Sequence, residues 1–195
     1  MTEDNPERIS CDYFETLYGV ARTVNSSLDV MQILQMIVSS TANALSVKAC
    51  SLRLLGPDGR HLFFGAAYGL SAGYRAKGPV DVAHSEVDRL ALAEGNPVYV
   101  ANVRTDTRFQ YGEQAHEEGI VSVLVTPLQV QDQAIGVLRV YSRVQREFTP
   151  AELELVEAIA SLSAIAIENG RLYERLNRDY QAAIAAVRTR SPEEM

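Results

Sequence analysis

The chain has 195 residues, of which 47% are hydrophobic and 22% charged, a composition that is ordinary for a folded globular domain. The formal net charge is −7 and no basic patch stands out, which disfavours nucleic-acid binding through phosphate contacts. No apolar run approaches the roughly 20 residues of a membrane span, and the acidic, polar N-terminus does not resemble a signal peptide. We therefore expect a cytoplasmic protein without membrane or nucleic-acid partners.

The two cysteines, Cys11 and Cys50, show no metal-ligand spacing and no nearby histidine cluster. For this reason no zinc site is predicted. A disulfide is not predicted either, because the expected compartment is reducing. Residues 1–10 are polar and are predicted to fray, whereas residues 11–176 are predicted to form one domain. Residues 177–195 are predicted to be a helical extension and tail.

The first part of the domain predicts two helices. Apolar residues recur at helical spacing over residues 14–24, and the polar run at residues 25–27 ends this pattern. A second helix is predicted from the N-cap Asp29, with Gln32 three residues later, to about Ser46.

Alternation then replaces helical spacing and predicts two hairpins. Residues 49–55 and 61–68 flank the turn Gly56–Gly59, and residues 121–130 and 134–142 flank a second turn. Pro127 lies within the second pair, so its strand is predicted to be irregular there.

The segment between the hairpins is less regular. Ser85 and Asp88 have capping-box spacing before a short helix, and Gly95 suits a left-handed helix end. Residues 98–100 read as a short strand. Residues 69–78 and 102–118 are predicted to be loops, the latter with a helical turn or two.

The last element is a long helix. Thr149, Pro150 and Glu152 combine an N-cap, a first-turn proline and a capping glutamate, and the helical pattern runs to about Val187 with Gly170 as its interruption. The fold class is therefore α+β: an antiparallel sheet, the terminal helices on one face, and small helices and loops on the other.

The order of these segments resembles the GAF domain family, a relative of PAS sensory domains. The resemblance covers about Tyr13 to Leu176 and rests on strings such as ACSLRLLGPDGRHLFFGAAYGL, EGNPVYVANVRTDTRF and VSVLVTPLQVQDQAIGVLRVYS. It implies a sheet face that forms a ligand cup and a place in a larger signalling system. Since no kinase, cyclase or DNA-binding segment is recognised, the output is expected to come from elsewhere.

Several family activities do not fit these residues. Covalent bilin attachment needs a cysteine at the cup, but Cys50 reads as a core residue and Ala83, not cysteine, precedes His84. Cyclic-nucleotide binders carry a lysine that Val103 replaces here. Members that reduce free methionine sulfoxide need several cysteines, and none follows Cys50. The cofactor stays unknown, and no enzyme activity is predicted.

The candidate ligand-binding residues lie on the strands and in the intervening segment. An arginine inside an apolar strand either faces solvent, pairs with an acid such as Asp81, Asp88 or Asp106, or meets an anion. The candidates are Ser51, Arg53, Tyr68, His84, Asp106, Arg108, Tyr111, Arg139 and Tyr141.

The end helix carries a heptad seam, which predicts a homodimer. The predicted interface residues are Leu162, Ile165, Asn169, Leu172 and Leu176. Residues 155–167 are expected to pack on the sheet and residues 172–187 on a partner. The function expected from this pattern is a sensory domain that binds a small molecule or partner and signals through dimerised end helices to an output protein. The alternatives are a ligand-free dimerisation scaffold and, less favoured for want of cysteines, a methionine sulfoxide reductase.

Overall fold

The structure, a computed structural model, describes residues 6–26 and 29–189. Residues 1–10 are predicted to fray; of these, residues 1–5 lie outside the described residues, whereas residues 6–10 belong to the first helix. The break at Ser27 and the tail from residue 190 also lie outside the described residues, as does the side chain of Cys11. The helices are α1 (Pro6–Ser26), α2 (Val30–Ala44), α3 (Ala72–Arg75), α4 (Glu86–Glu94), α5 (Gly112–Glu117) and α6 (Pro150–Thr189). The strands are β1 (Ala49–Leu55), β2 (His61–Tyr68), β3 (Val80–Asp81), β4 (Val98–Val100), β5 (Ser122–Val130) and β6 (Gln133–Ser142).

The described strands form one antiparallel sheet in the order β3-β2-β1-β6-β5-β4. Both predicted hairpins are present, and β1 joins them by pairing with β6. In this register Ser51 lies opposite Arg139 and Leu52 opposite Leu138. Because opposite residues share a face and successive residues alternate, β1 and β6 each have an apolar back face and a mixed front face.

The back face of the sheet is covered by α2 and α6, and α1 packs against these two helices, so the terminal helices lie on one side of the sheet as predicted. Leu52, Leu138 and Val140 from the sheet form one buried cluster with Ile37 of α2 and Ile159 of α6. Asp29 accepts hydrogen bonds from the amides of Met31 and Gln32, which fixes the start of α2.

The front face is covered by α4, α5 and the segments around them. Val137 and Tyr141 of β6 form a second buried cluster with Val87 of α4, with Ala115 of α5 and with Phe109, which precedes α5. The three layers agree with the predicted α+β class.

The middle segment contains elements that the sequence did not predict. The sequence predicts a loop for residues 69–78, but Ala72–Arg75 form a helical turn there. Just after this segment, Val80–Asp81 pair with β2 as a short edge strand. These elements are so short that no periodicity distinguishes them from a loop. Gly95 closes α4 at φ +70°, as predicted.

Pro127 is accommodated where β5 loses one neighbour. The pairing of β4 with β5 ends at Val125, so Pro127 has only β6 beside it, opposite Val137. A register shift follows between Leu128 and Gln129, which confirms the predicted irregularity.

The long helix α6 begins with the predicted capping box. The Thr149 amide donates to Glu152 at 2.8 Å, and the Glu152 amide donates to the Thr149 hydroxyl at 3.3 Å. Gly170 is more than an interruption of this helix: an added Cβ would lie 2.1 Å from Cγ2 of Val30. The glycine therefore lets the start of α2 approach α6 closely. None of the described helices is long and apolar enough to cross a membrane.

Candidate functional site

A buried polar group lies at the centre of the front face. Ser51 and Arg53 of β1 share this face with Arg139 and Tyr141 of β6, and all four side chains are 0–1% exposed. The Ser51 and Tyr141 hydroxyls are 2.9 Å apart. We define the front cluster as Ser51, Arg53, Tyr74, Lys77, Asp88, Arg139 and Tyr141.

The arginine of β6 is neutralised by α4. Nη2 of Arg139 donates to Oδ2 of Asp88, and the two side chains are 1% and 0% exposed. Burial alone would lower the pKa of Arg139, but the charge of Asp88 and its hydrogen bond raise that pKa on balance. The pairing with Asp88 was one of the alternatives left open by the sequence.

Ser85 contributes to this ion pair and not to the predicted capping box. It occupies the N-cap position of α4, yet its side chain caps no backbone amide. Its hydroxyl donates to Oδ2 of Asp88. The capping-box prediction is therefore wrong in its bonding, because the aspartate is held by Arg139 across the interface between α4 and the sheet.

The arginine of β1 has no acidic partner within the front cluster. Its Cζ lies 3.6 Å from the centroid of the Phe64 ring, and its Nη1 donates to the Leu62 carbonyl at 3.4 Å. Its Nε and Nη2 have no hydrogen-bond partner. Burial, and then the nearby charge of Arg139, lower the pKa of Arg53.

Lys77 brings a third basic group to the same place. Its Nζ lies 3.6 Å from the Tyr74 ring centroid and 4.3 Å from that of Tyr111, and it has no hydrogen-bond partner. Burial, and then the charges of Arg139 and Arg53, lower the pKa of Lys77 to about 6. Burial also raises the pKa of the Tyr74 hydroxyl, which keeps it protonated as a donor.

The front cluster therefore has an excess of positive groups and of unused donors. The buried atoms without partners include Arg53 Nε and Nη2, Arg139 Nε, Lys77 Nζ, the Tyr74 hydroxyl and Asp88 Oδ1. Buried polar atoms are normally paired. Such an arrangement suits an anion, since an anion accepts hydrogen bonds from all the donors and offsets the charge.

Of the other predicted ligand-binding residues, only Tyr111 contacts the front cluster. The remaining four are Tyr68, His84, Asp106 and Arg108, and they lie elsewhere. Tyr111 reaches the front cluster through Lys77, while its hydroxyl donates to the Pro79 carbonyl at 3.0 Å. Tyr68 lies opposite Cys50 in the register and so is on the helix-covered side of the sheet. The His84 side chain is 68% exposed and contacts Asp81.

Asp106 and Arg108 pair with each other. Both Nε and Nη2 of Arg108 donate to the Asp106 carboxylate, at distances of 2.6–3.2 Å. Hydrogen bonding to the Arg108 side chain is the main cause that lowers the pKa of Asp106. The pair lines a shallow open groove with Tyr99 and Asn102 rather than the front cluster.

Sequence reasoning missed three contributors to this site, namely Phe64, Tyr74 and Lys77. Tyr74 and Lys77 are three residues apart, but the sequence predicts an irregular loop for their segment, and a loop has no periodicity that assigns side chains to a face. Phe64 lies opposite Arg53 in the register, and an aromatic residue facing a strand arginine is a signal that the pairing of the hairpin offers.

Among the described side chains, no cysteine thiol lies in or beside the front cluster. Cys50 is fully buried on the back face, where burial raises the pKa of its thiol. Within residues 6–26 and 29–189, no group of three or more histidine, cysteine, aspartate or glutamate side chains could hold a metal ion.

The predicted interface residues of α6 divide into two sets. Leu162 packs against the buried cluster of its own domain. Ile165, Leu172 and Leu176 are 50%, 51% and 68% exposed, and Asn169 is exposed between them. Tyr173 and Tyr180 extend this exposed apolar stripe.

Comparison with known proteins gives a consistent result. The family model described as GAF domain matches residues 29–167. The sensor histidine kinase YhcY of Bacillus subtilis (strain 168) is 26% identical over 164 residues, which are 82% of this chain and 43% of that protein. The chain thus spans less than half the length of this relative.

Solved structures share the fold. A domain of a putative two-component sensor histidine kinase from Sinorhizobium meliloti 1021 is 27% identical, with a TM-score of 0.62, 74% of this chain covered and 94% of that one. The free methionine-R-sulfoxide reductase of Neisseria meningitidis, solved with its substrate, is 20% identical, with a TM-score of 0.70, 83% of this chain covered and 91% of that one. The second likeness concerns the fold alone. Because the family model matches most of the chain, the protein belongs to the GAF domain family and resembles the GAF domains of sensor proteins.

Proposed function

We propose that this domain is a sensory module that binds a small anionic ligand in the front cluster and signals through its end helices as a homodimer. The observation that supports ligand binding most directly is the pair of buried guanidinium groups. Arg53 and Arg139 are 0–1% exposed, yet three of their N–H-bearing nitrogens have no partner. Buried donors of this kind are costly unless a ligand accepts from them.

A route from the ligand to the helices follows from strand alternation. Arg139 lies on the front of β6, and its neighbours Leu138 and Val140 lie on the back, in the buried cluster that contains Val156 and Ile159 of α6. A shift of β6 on ligand binding therefore moves the surface on which α6 rests. Packed cores respond to such shifts by moving between discrete arrangements.

The far half of α6 is the proposed output element. At the usual rise, its 40 residues extend about 60 Å. Its exposed stripe at Leu172 and Leu176 continues beyond the sheet at heptad spacing, which favours a second copy of the same helix as its partner. Relatives in sensor kinases suggest that the dimer in turn controls a signalling output domain or protein.

The experiment for ligand binding uses Arg53→Met. This substitution removes a guanidinium that has no acidic partner, so it leaves no buried carboxylate unpaired. Thermal shift and calorimetry with a panel of small anions should find at least one ligand for the natural protein and none for Arg53→Met. Arg143→Met is the matched control, because Arg143 is exposed just after β6 and should not affect binding.

The ligand-free scaffold is the second candidate function. Its support is that the front cluster is filled by the domain's own buried side chains. The scaffold predicts that no anion in the panel binds, while the protein remains dimeric. That combined result would contradict ligand sensing.

A further inference from the structure

The front cluster also defines the charge of its ligand. Three basic side chains, Arg53, Arg139 and Lys77, surround a single carboxylate, Asp88. When all four are ionised, two positive charges remain without a counterion. Buried charges in proteins are normally paired, so a complementary ligand brings two negative charges.

The free donors lie on different elements and therefore hold a ligand from more than one direction. Arg53 comes from β1, Arg139 from β6, and Lys77 from the segment between α3 and β3. Each has at least one buried nitrogen without a hydrogen-bond partner. A carboxylate or phosphate oxygen accepts from a guanidinium in a fixed planar geometry, and Lys77 adds a point charge.

The protonation of Lys77 depends on what lies beside it. Basic groups facing it are Arg139 of β6 and Arg53 of β1, and the acids are Asp88 of α4 and Glu118 after α5. Glu118 is already engaged by Lys48 at 3.0 Å and by the Ser71 amide at 2.9 Å, and Asp88 is engaged by Arg139. The Tyr74 and Tyr111 rings favour the ammonium form, but burial and the two guanidinium groups outweigh them.

With a pKa of about 6, the amine of Lys77 is mainly neutral at neutral pH in the ligand-free protein. A dianion placed among the three basic groups reverses the local charge and favours the ammonium form. Binding and protonation are then linked, since each favours the other.

We propose that the ligand is a small acid with two negative charges, and that Lys77 takes up a proton when this acid binds between the two arginines. This inference rests on the proposed function of anion sensing. It names the class of ligand by charge, which dicarboxylates and phosphate share.

The experiment is isothermal titration calorimetry with the full chain at about pH 7.5 in two buffers of different ionisation enthalpy. The probes are succinate and malonate as dicarboxylates, inorganic phosphate as the alternative source of two charges, and propionate and succinamate as singly charged analogues. We expect at least one dianion to bind about tenfold or more tightly than the singly charged probes. Close to one proton should be taken up per dicarboxylate bound, and less per phosphate, because the singly charged fraction of free phosphate loses a proton when it binds as the dianion. Binding of the dicarboxylates or of phosphate then shows which of these two classes of acid supplies the two negative charges.

Two variants distinguish a role of Lys77 in ligand binding and proton uptake from a purely structural role. Lys77→Met should weaken dianion binding and remove the proton uptake. Lys77→Arg should retain binding but also remove the uptake, because an arginine is already charged. Arg143→Met should match the natural protein in both respects.

The outcomes distinguish the two proposals. If singly charged and doubly charged probes bind equally well, or if proton uptake persists in Lys77→Met, anion sensing stands and the inference about charge and Lys77 is wrong. If none of the probes binds, the proposed function and this inference both fail.

Discussion

Asp88 of α4 and Arg139 of β6 form an ion pair that joins the front layer to the sheet while both side chains are withdrawn from water. Ser85 donates to the same carboxylate oxygen, so one aspartate satisfies two donors. The pair fixes how α4 sits over the sheet, and its removal gives the first prediction.

Substitution Asp88→Asn should destabilise the fold by about 3–5 kcal/mol, because it leaves the buried charge of Arg139 uncompensated. The double variant Asp88→Asn with Arg139→Met should be more stable than Asp88→Asn alone, since it removes that charge. Urea unfolding followed by circular dichroism measures both. A cost below about 1 kcal/mol for Asp88→Asn would show that water or another group compensates Arg139.

Lys77 should make the ligand-free protein more stable as the pH rises. Its pKa is about 6 in the folded protein and 10.5 ordinarily, so between these values the unfolded chain binds a proton that the folded protein lacks. The free energy of unfolding should therefore increase with pH by up to about 1.4 kcal/mol per pH unit. Below about pH 6 both states are protonated and this contribution is constant.

The measurement compares urea unfolding of the natural protein and Lys77→Met from about pH 6.5 to about pH 8.5. Subtracting the two curves removes the titration of all other groups that the substitution leaves unchanged. A difference that does not vary with pH would mean that Lys77 keeps its proton in the folded state.

Cys50 should be unreactive while the protein is folded, because the thiolate is the reactive form and burial raises the pKa of this thiol. In a Cys11→Ser background, Cys50 is the remaining thiol, since the chain has two cysteines. We expect Ellman's reagent to modify it only as fast as the protein unfolds. Rapid modification of the folded protein, or thiol-dependent reduction of methionine sulfoxide, would revive the enzyme alternative.

Gly170 should resist replacement even though alanine is the better helix former. An added methyl group would lie 2.1 Å from Val30, so Gly170→Ala should destabilise the domain by about 1–3 kcal/mol, as overpacking does. Without that contact, alanine would stabilise the helix by about 1 kcal/mol. Combining it with Val30→Ala removes the clash, and a double-mutant cycle measured by urea unfolding should show favourable coupling. Additive effects would contradict the close approach of α2 and α6.

The exposed stripe of α6 should hold two copies together. Leu172→Asp with Leu176→Asp places charges in the seam and should give monomers in light scattering coupled to size exclusion. The matched control is Gln181→Asp with Ala182→Asp, which adds the same charge at exposed positions away from the stripe. A natural protein that is monomeric, or a Leu172→Asp, Leu176→Asp protein that stays dimeric, would exclude this interface.

Local patterns in the sequence determined the hairpins, the helix caps at Asp29 and Thr149 and the three-layer arrangement, because alternation and capping depend on residues a few positions apart. The spacing of Ser85 and Asp88 is the same as that of Thr149 and Glu152, yet only the second pair caps its helix. The tertiary structure decides this difference, since Arg139 lies 51 residues from Asp88 and no local pattern can register its charge.

The difference between local patterns and contacts distant in sequence also explains which part of the front cluster could be predicted. Alternation along the strands placed Arg53 and Arg139 on one face, whereas Lys77 joined them only through the packing of a short segment without periodicity. The heptad pattern of α6 is visible in the sequence. Which of its residues remain exposed depends on how much of the helix packs on the sheet. Burial and charge balance are properties of the assembled layers, and a linear pattern does not contain them.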